Sequence, residues 1–209
     1  LDGASLRAYL GSRGGRAPIR IGPGVTEIVT GRSSVITSFS AGGPSAFGHQ
    51  LKPDVAAPGG EILSATLRQY TGGSPFANFD GTSMSAPHVT GAVALLTQRH
   101  PDWSVRQMKS ALMSTAGAAW GNSARTQEAS VLLEGAGLVN VQAADSPLIF
   151  TEPGSLSFGD MNLLAGVTSK QLLLSVRDAG GGAGTWAVEL QPQSASAGAS
   201  LELPSTVTV

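Results

Sequence analysis

Between Phe76 and Leu96 the sequence passes from strand to bend to helix with a serine at the junction, and this stretch constrains the fold more than any other. Phe76-Ala77-Asn78-Phe79 has the short apolar character of a strand. Asp80-Gly81 supplies the turn residues for an abrupt change of direction. Ala92-Val93-Ala94-Leu95-Leu96 is apolar on nearly every face of a helix, which predicts burial. The helix is expected to open near Ser85 and end by His100, with Pro87 in its first turn, where a missing N–H is tolerated. Ser83 then stands where rigid elements hold a hydroxyl and where the unpaired N–H groups of a helix start can stabilise an oxyanion. Those are the needs of a nucleophile. The plainer alternative is that Ser83 merely caps a core helix.

The eleven residues Gly81-Thr82-Ser83-Met84-Ser85-Ala86-Pro87-His88-Val89-Thr90-Gly91 favour the first reading. They resemble the nucleophile segment of the subtilisin-like serine peptidases, the subtilases, which reads Gly-Thr-Ser-Met-small-x-Pro-His-Val-x-Gly. By that resemblance Ser83 is the attacking serine, and its backbone N–H is one arm of the oxyanion hole. The likeness continues on both sides. Ser38-Phe39-Ser40-Ala41-Gly42-Gly43-Pro44 and Leu51-Lys52-Pro53-Asp54-Val55-Ala56-Ala57-Pro58-Gly59 resemble the segment that crosses the subtilase core before the serine. His100-Pro101-Asp102-Trp103-Ser104 with Lys109 to Ala116 is similar to the next helix, and Gly135 to Ala144 to the closing segment. The resemblance spans residues 26–144 and implies the C-terminal part of a subtilisin-like three-layer α/β domain. Two positions depart from the pattern. Gly42 stands where many subtilases carry arginine, which should alter only a surface loop. Asp80 stands where serine or asparagine is commoner, and either adds negative charge near the nucleophile or stabilises the turn; the turn is the favoured role.

Serine chemistry also needs a base and a carboxylate to orient it. Each of the three histidines has another explanation. His88 lies five residues along the helix from Ser83, so its ring should point away. His100 suits a helix C-terminus before Pro101. His49 falls in a Gly/Pro-rich loop and reads as solvated. None sits in a His-Gly-Thr-His-like segment of the subtilase kind. Asp2-Gly3-Ala4 and Asp80-Gly81-Thr82 are the nearest strings to its Asp-Thr-Gly-like segment and lack the strand context. Nor do Asn78, Asn122, Asn140 or Asn162 resemble the oxyanion-hole asparagine. In subtilases these parts precede the serine. The expectation is therefore a C-terminal piece of a larger serine endopeptidase. Its triad aspartate and histidine would come from polypeptide outside this chain, which alone should be inactive. The alternative is a non-catalytic surface or binding protein on a degenerate subtilase scaffold. An unrelated hydrolase with a Gly-x-Ser-x-Gly elbow is disfavoured, because Ser83 is followed by Met84-Ser85.

Composition narrows the partners. Lys and Arg total 13 against 14 Asp and Glu, for a net charge of −1. That balance offers no electrostatic footprint for nucleic acid or anionic membrane. No apolar run is long enough to span a membrane. With no cysteine, disulfides and thiolate zinc sites are excluded. Carboxylates are scattered without calcium-loop spacing, so no metal site is expected, and the subtilase reaction needs no cofactor. Expected partners are a protein or peptide substrate and the missing N-terminal part of the catalytic domain. The resemblance implies a secreted or cell-surface location.

Three regions are expected. Residues 1–25 hold a short helix, Ala4 to Leu10, a Gly/Arg turn and an extended Ala17 to Ile21. They resemble the end of a protease-associated domain inserted in some subtilases, or form an ordinary surface excursion. Residues 26–144 carry strands at Val25 to Val29, Val35-Ile36 and Glu61 to Leu67, then the serine helix, then a helix opening at Ser104. There Gln107 completes a capping box, Trp103 takes the hydrophobic-staple position, and Val105, Met108, Leu112 and Thr115 share one face. After the linker-like Asp145-Ser146-Pro147, strands are expected at Ser155 to Phe158, Lys170 to Val176, Thr185 to Leu190 and Thr206 to Val209. Residues 145–209 therefore read as a partial all-β sandwich, similar at Pro153 to Gly159 to a fibronectin type III-like domain. Ser194 to Ser200 reads as a flexible loop.

Overall fold

The computed structural model describes residues 3–14, 33–166, 169–193 and 198–209. The chain divides into two compact units, Leu1–Thr30 and Gly31–Val209. In the first unit a helix, α1 (Gly3–Ser12), covers the expected one and runs slightly beyond it at both ends. Its last turn is closed by the Arg13 N–H on the Leu10 carbonyl at 3.2 Å. The extended Ala17 to Ile21 and the strand expected at Val25 to Val29 lie outside the described residues.

The second unit is a mixture of helices and short sheets. Two strands, β1 (Ile62–Ala65) and β2 (Phe76–Phe79), form an antiparallel hairpin that leads directly into helix α2 (Thr82–Arg99). Helix α3 (Val105–Ser114) follows, then the short helices α4 (Val131–Glu134) and α5 (Val141–Ala144). Strand β3 (Ile149–Glu152) pairs antiparallel with β4 (Ser175–Asp178), and β5 (Thr185–Ala187) with β6 (Thr206–Thr208). The described strands thus make three separate two-stranded sheets.

The core lies where α2, α3, α5 and β3 meet, through Ala92, Leu96, Ala111, Leu112, Ala144 and Phe150. Trp103 packs against it as expected, edge-on to Phe150 at 5.0 Å. The capping box forms: Ser104 Oγ accepts the Gln107 N–H while Gln107 Oε1 accepts the Ser104 N–H at 2.8 Å. A buried polar link joins α3 to β3, with Ser110 Oγ accepting the Thr151 N–H at 2.7 Å. Asp145, expected in a linker, is instead an anchor. Its carboxylate meets Arg99 Nε at 2.5 Å and His100 Nε2 at 2.9 Å.

Several expectations are corrected. Helix α2 opens at Thr82, three residues early, so Pro87 falls in its second turn. It is also not buried all round: only Ala92 and Leu96 are enclosed, while Leu95 is 55% exposed. An apolar helix needs a covering element on each face, and among the described residues α2 has one on a single face. On α3, Met108 and Leu112 are buried but Val105 is 80% exposed, because it sits in the first turn beyond the reach of α2. No strand forms at residues 155–158. Ser157 Oγ there accepts the Leu51 N–H at 2.9 Å and donates to the His49 carbonyl at 3.3 Å, so the segment is tied by a side chain and not by a ladder. The strand expected from Lys170 begins only at Ser175. The partner strand ends at Glu152, and Pro153 has no N–H to extend the pairing. The strands expected at Thr185 to Leu190 and Thr206 to Val209 form but stop at Ala187 and Thr208; they pair with each other, and the Val188 N–H adds a bond to the Ser205 carbonyl at 2.9 Å.

Candidate active site

The segment that reaches the serine is anchored in the core first. Asp54 accepts Lys52 Nζ at 2.6 Å on one carboxylate oxygen and Lys109 Nζ of α3 at 2.8 Å on the other. Partial burial pushes this carboxyl upward, and the two ammonium groups overcome that push and hold it below the usual carboxylate range. Two residues on, the Ala56 N–H donates to the Gly137 carbonyl at 2.8 Å and the Ala56 carbonyl accepts the Val139 N–H at 2.9 Å. Close approach here requires glycine. A Cβ at Gly137, whose φ is +113°, would lie 2.2 Å from the Gly117 carbonyl oxygen.

From that anchor, Pro58-Gly59-Gly60-Glu61 runs against the turn that carries the serine. Gly81 has φ 154° and ψ 155°, a conformation open essentially to glycine alone. Its N–H donates to the Gly59 carbonyl at 2.8 Å. A Cβ on Gly59 would fall 2.2 Å from Ser85 Oγ and 2.8 Å from the Gly81 carbonyl oxygen. Asp80 Oδ1 accepts the Glu61 N–H at 2.7 Å, which fits the turn-stabilising role and gives it a partner.

Ser83 is the second residue of α2 and is exposed. Its hydroxyl makes no hydrogen bond to a described residue. No side chain caps the helix, and the Met84 N–H turns back to the Gly81 carbonyl at 3.0 Å. At this position the Ser83 N–H has no intrahelical acceptor and is free for a ligand oxygen. Pro87 contributes in a way its expected first-turn position did not suggest. Four residues after Ser83, it lacks the N–H that would otherwise bond the Ser83 carbonyl.

The three histidines do not meet this serine. His88 Nδ1 donates to the Met84 carbonyl at 2.7 Å, one turn back along α2. His100 caps the far end of the same helix, about 25 Å from Ser83 at 1.5 Å per residue. There it stacks on Trp103 with ring centroids 3.8 Å apart and bonds Asp145. Hydrogen bonding from Arg99, with His100 alongside, holds the Asp145 carboxyl below its usual range despite partial desolvation. His49 lies in an exposed turn, and its ring makes no hydrogen bond to a described residue. The described residues therefore hold a presented serine without a base.

The Subtilase family model matches residues 24–142, more than half of the chain. The chain belongs to the subtilase family. This subtilase is 40% identical over 121 residues to the subtilisin-like protease SBT1.9 of Arabidopsis thaliana, covering 54% of this chain and 16% of that protein. It is 33% identical over 153 residues to SBT3.4 of the same plant, covering 69% and 20%. Against the minor extracellular protease Vpr of Bacillus subtilis it is 35% identical over 126 residues, covering 59% and 15%. The matched stretch thus spans a fifth or less of these relatives. The family extent agrees closely with the resemblance seen over residues 26–144. The turn role expected for Asp80 fits its bond to the Glu61 N–H, whereas the clamp by Gly59 is not among the expectations. The adjacent glycines after Pro58 were its one local signal.

Proposed function

We propose that this chain is the nucleophile-bearing part of a subtilisin-like serine endopeptidase. Ser83 attacks the scissile carbonyl of a protein or peptide substrate to form an acyl-enzyme, which water then hydrolyses. The carrying observation is an exposed Ser83 hydroxyl, unbonded among the described residues, at the uncapped start of α2 on a turn braced by Gly59 and Glu61. The Ser83 N–H serves the oxyanion. A histidine outside this sequence takes the serine proton and gives it to the leaving amine. An aspartate orients that histidine, and an asparagine completes the oxyanion hole; both also come from outside the sequence. That none of the three histidines hydrogen-bonds Ser83 supports that division, and the chain alone is inactive on this reading.

The same reading places residues 26–144 in a three-layer α/β catalytic domain and residues 145–209 in a partial fibronectin type III-like sandwich, to which β3–β6 contribute. Residues 1–25 are either the end of an inserted protease-associated domain or an ordinary surface excursion. The location is secreted or cell-surface. Among the described residues no helix is long and apolar enough to cross a membrane.

Hydrolysis of a casein or peptide substrate by the full-length protein, beside Ser83→Ala, tests the activity. Loss of turnover by about 10⁶-fold in the variant is expected for removal of a nucleophile. Equal turnover in both, or none in a folded full-length protein, would favour a non-catalytic scaffold.

A further inference from the structure

We infer that Asp80 is a positioning residue for Ser83, acting through the Glu61 N–H. This rests on the reading of Ser83 as nucleophile and goes beyond it. In the hairpin register Ile62 faces Phe79, so the next rung would join Glu61 to Asp80. The backbone does not make that rung: Glu61 has a left-handed φ of 54° on one side, and on the other the chain is already swinging through Gly81 into α2. The Asp80 carboxylate makes it instead, with Oδ1 at 2.7 Å from the Glu61 nitrogen. Its role is that of a substitute carbonyl: an acceptor that carries the ladder one step further while the main chain turns away.

The position matters because the turn holds itself by little more than the Met84 N–H bond to the Gly81 carbonyl at 3.0 Å. Gly81 has no side chain, α2 has no capping side chain, and Pro87 removes a bond from the Ser83 carbonyl. That one bond spans Ser83 without tying the turn to the rest of the fold, so the direction of Ser83 also depends on what grips the turn from outside. Two bonds do so, Gly81 N–H to Gly59 and Glu61 N–H to Asp80, and Gly59 has no room to shift toward Ser85. The gripping segment is itself fixed to α3 through Asp54 and Lys109. Position thus passes from the core to the nucleophile, and Asp80 is the one side chain in its final link.

The acceptor role and a charge role make different predictions. If Asp80 acts as an acceptor, asparagine replaces it; if its negative charge acts on the helix start or the site, asparagine fails. In the full-length protein, the second-order rate of fluorophosphonate labelling at Ser83 is measured together with kcat and KM for a peptide. Wild type, Asp80→Ala and Asp80→Asn are compared below their unfolding temperatures. Asp80→Ala should lower the labelling rate and kcat about 10- to 100-fold with KM little changed, the loss typical of a reacting group displaced by about an ångström. Asp80→Asn should recover most of that loss. Labelled wild type with equally fast Asp80→Ala would overturn the inference alone, as would an Asp80→Asn as slow as Asp80→Ala. Wild type that takes no label would instead overturn the reading of Ser83. Should Asp80→Ala not fold, Asp80→Asn decides by itself: labelling at the wild-type rate supports the acceptor role, and slow labelling refutes it.

Discussion

At the scale of single residues the chain separates roles that its sequence runs together. Serine is common at helix starts, and what distinguishes Ser83 is its setting: no bond from its hydroxyl to a described residue, no cap, and a braced turn behind it. Glu134 shows the opposite case, a titratable group enclosed for structure. It is 2% exposed, and its oxygens accept the Ala119 N–H at 2.9 Å and Gln193 Nε2 at 3.2 Å. Desolvation pushes its carboxyl above the usual glutamate value, with Glu128 adding to the push and the two hydrogen bonds opposing it. Because the folded chain holds this proton at pH values where the unfolded chain has lost it, ionisation destabilises the fold. Stability from this site is full below the ordinary value of 4.5 and declines as pH rises through the raised value. Glu134→Gln should flatten that decline, read as unfolding midpoints from about pH 4 to pH 8. A wild-type midpoint that rises across the window because of Glu134 would contradict this assignment. Nothing local in Leu132-Leu133-Glu134-Gly135 distinguishes this glutamate from a solvated one, since its partners lie at Ala119 and Gln193.

At the scale of elements, what was legible depended on whether the determining contacts were local. The capping box at Ser104 and the apolar spacing of Met108 and Leu112 lie within one helix, and α3 forms as read. Helix α2 is less enclosed than its composition suggests, because composition shows that a helix is apolar without showing which faces are covered. Strand ends were misplaced where a distant partner sets them, as Pro153 does for β4. Helix α3 offers a direct contrast. Leu112→Ala removes a core side chain and should cost about 2–5 kcal/mol. Val105→Ala, on the expected buried face but exposed, should cost no more than about 0.5 kcal/mol beyond propensity effects. Urea unfolding of the two variants within the full-length protein measures both, and equal costs would show that Val105 is covered in solution. Ser110→Ala should cost about 1–3 kcal/mol, since it strands the Thr151 N–H beside the core.

At the scale of the molecule, the Gly31–Val209 unit exposes large apolar side chains that an enclosed fold would cover. Leu63 and Phe76 stand out on one face of the β1–β2 hairpin, and Tyr70 and Leu95 are also exposed. Apolar surface on this scale favours association. The 209-residue chain alone should therefore bind a hydrophobic dye and elute above its 21.1 kDa mass in size-exclusion chromatography. A monodisperse monomer with cooperative unfolding would contradict that. The reading of Ser83 as an activated nucleophile is tested most directly in the full-length protein. Full-length protein is treated with a fluorophosphonate probe, digested, and the modified residue is mapped by mass spectrometry beside a Ser83→Ala control. A single adduct on Ser83 that vanishes in the control is the predicted result. A folded full-length protein that takes no label, or carries it on another residue, would contradict the account.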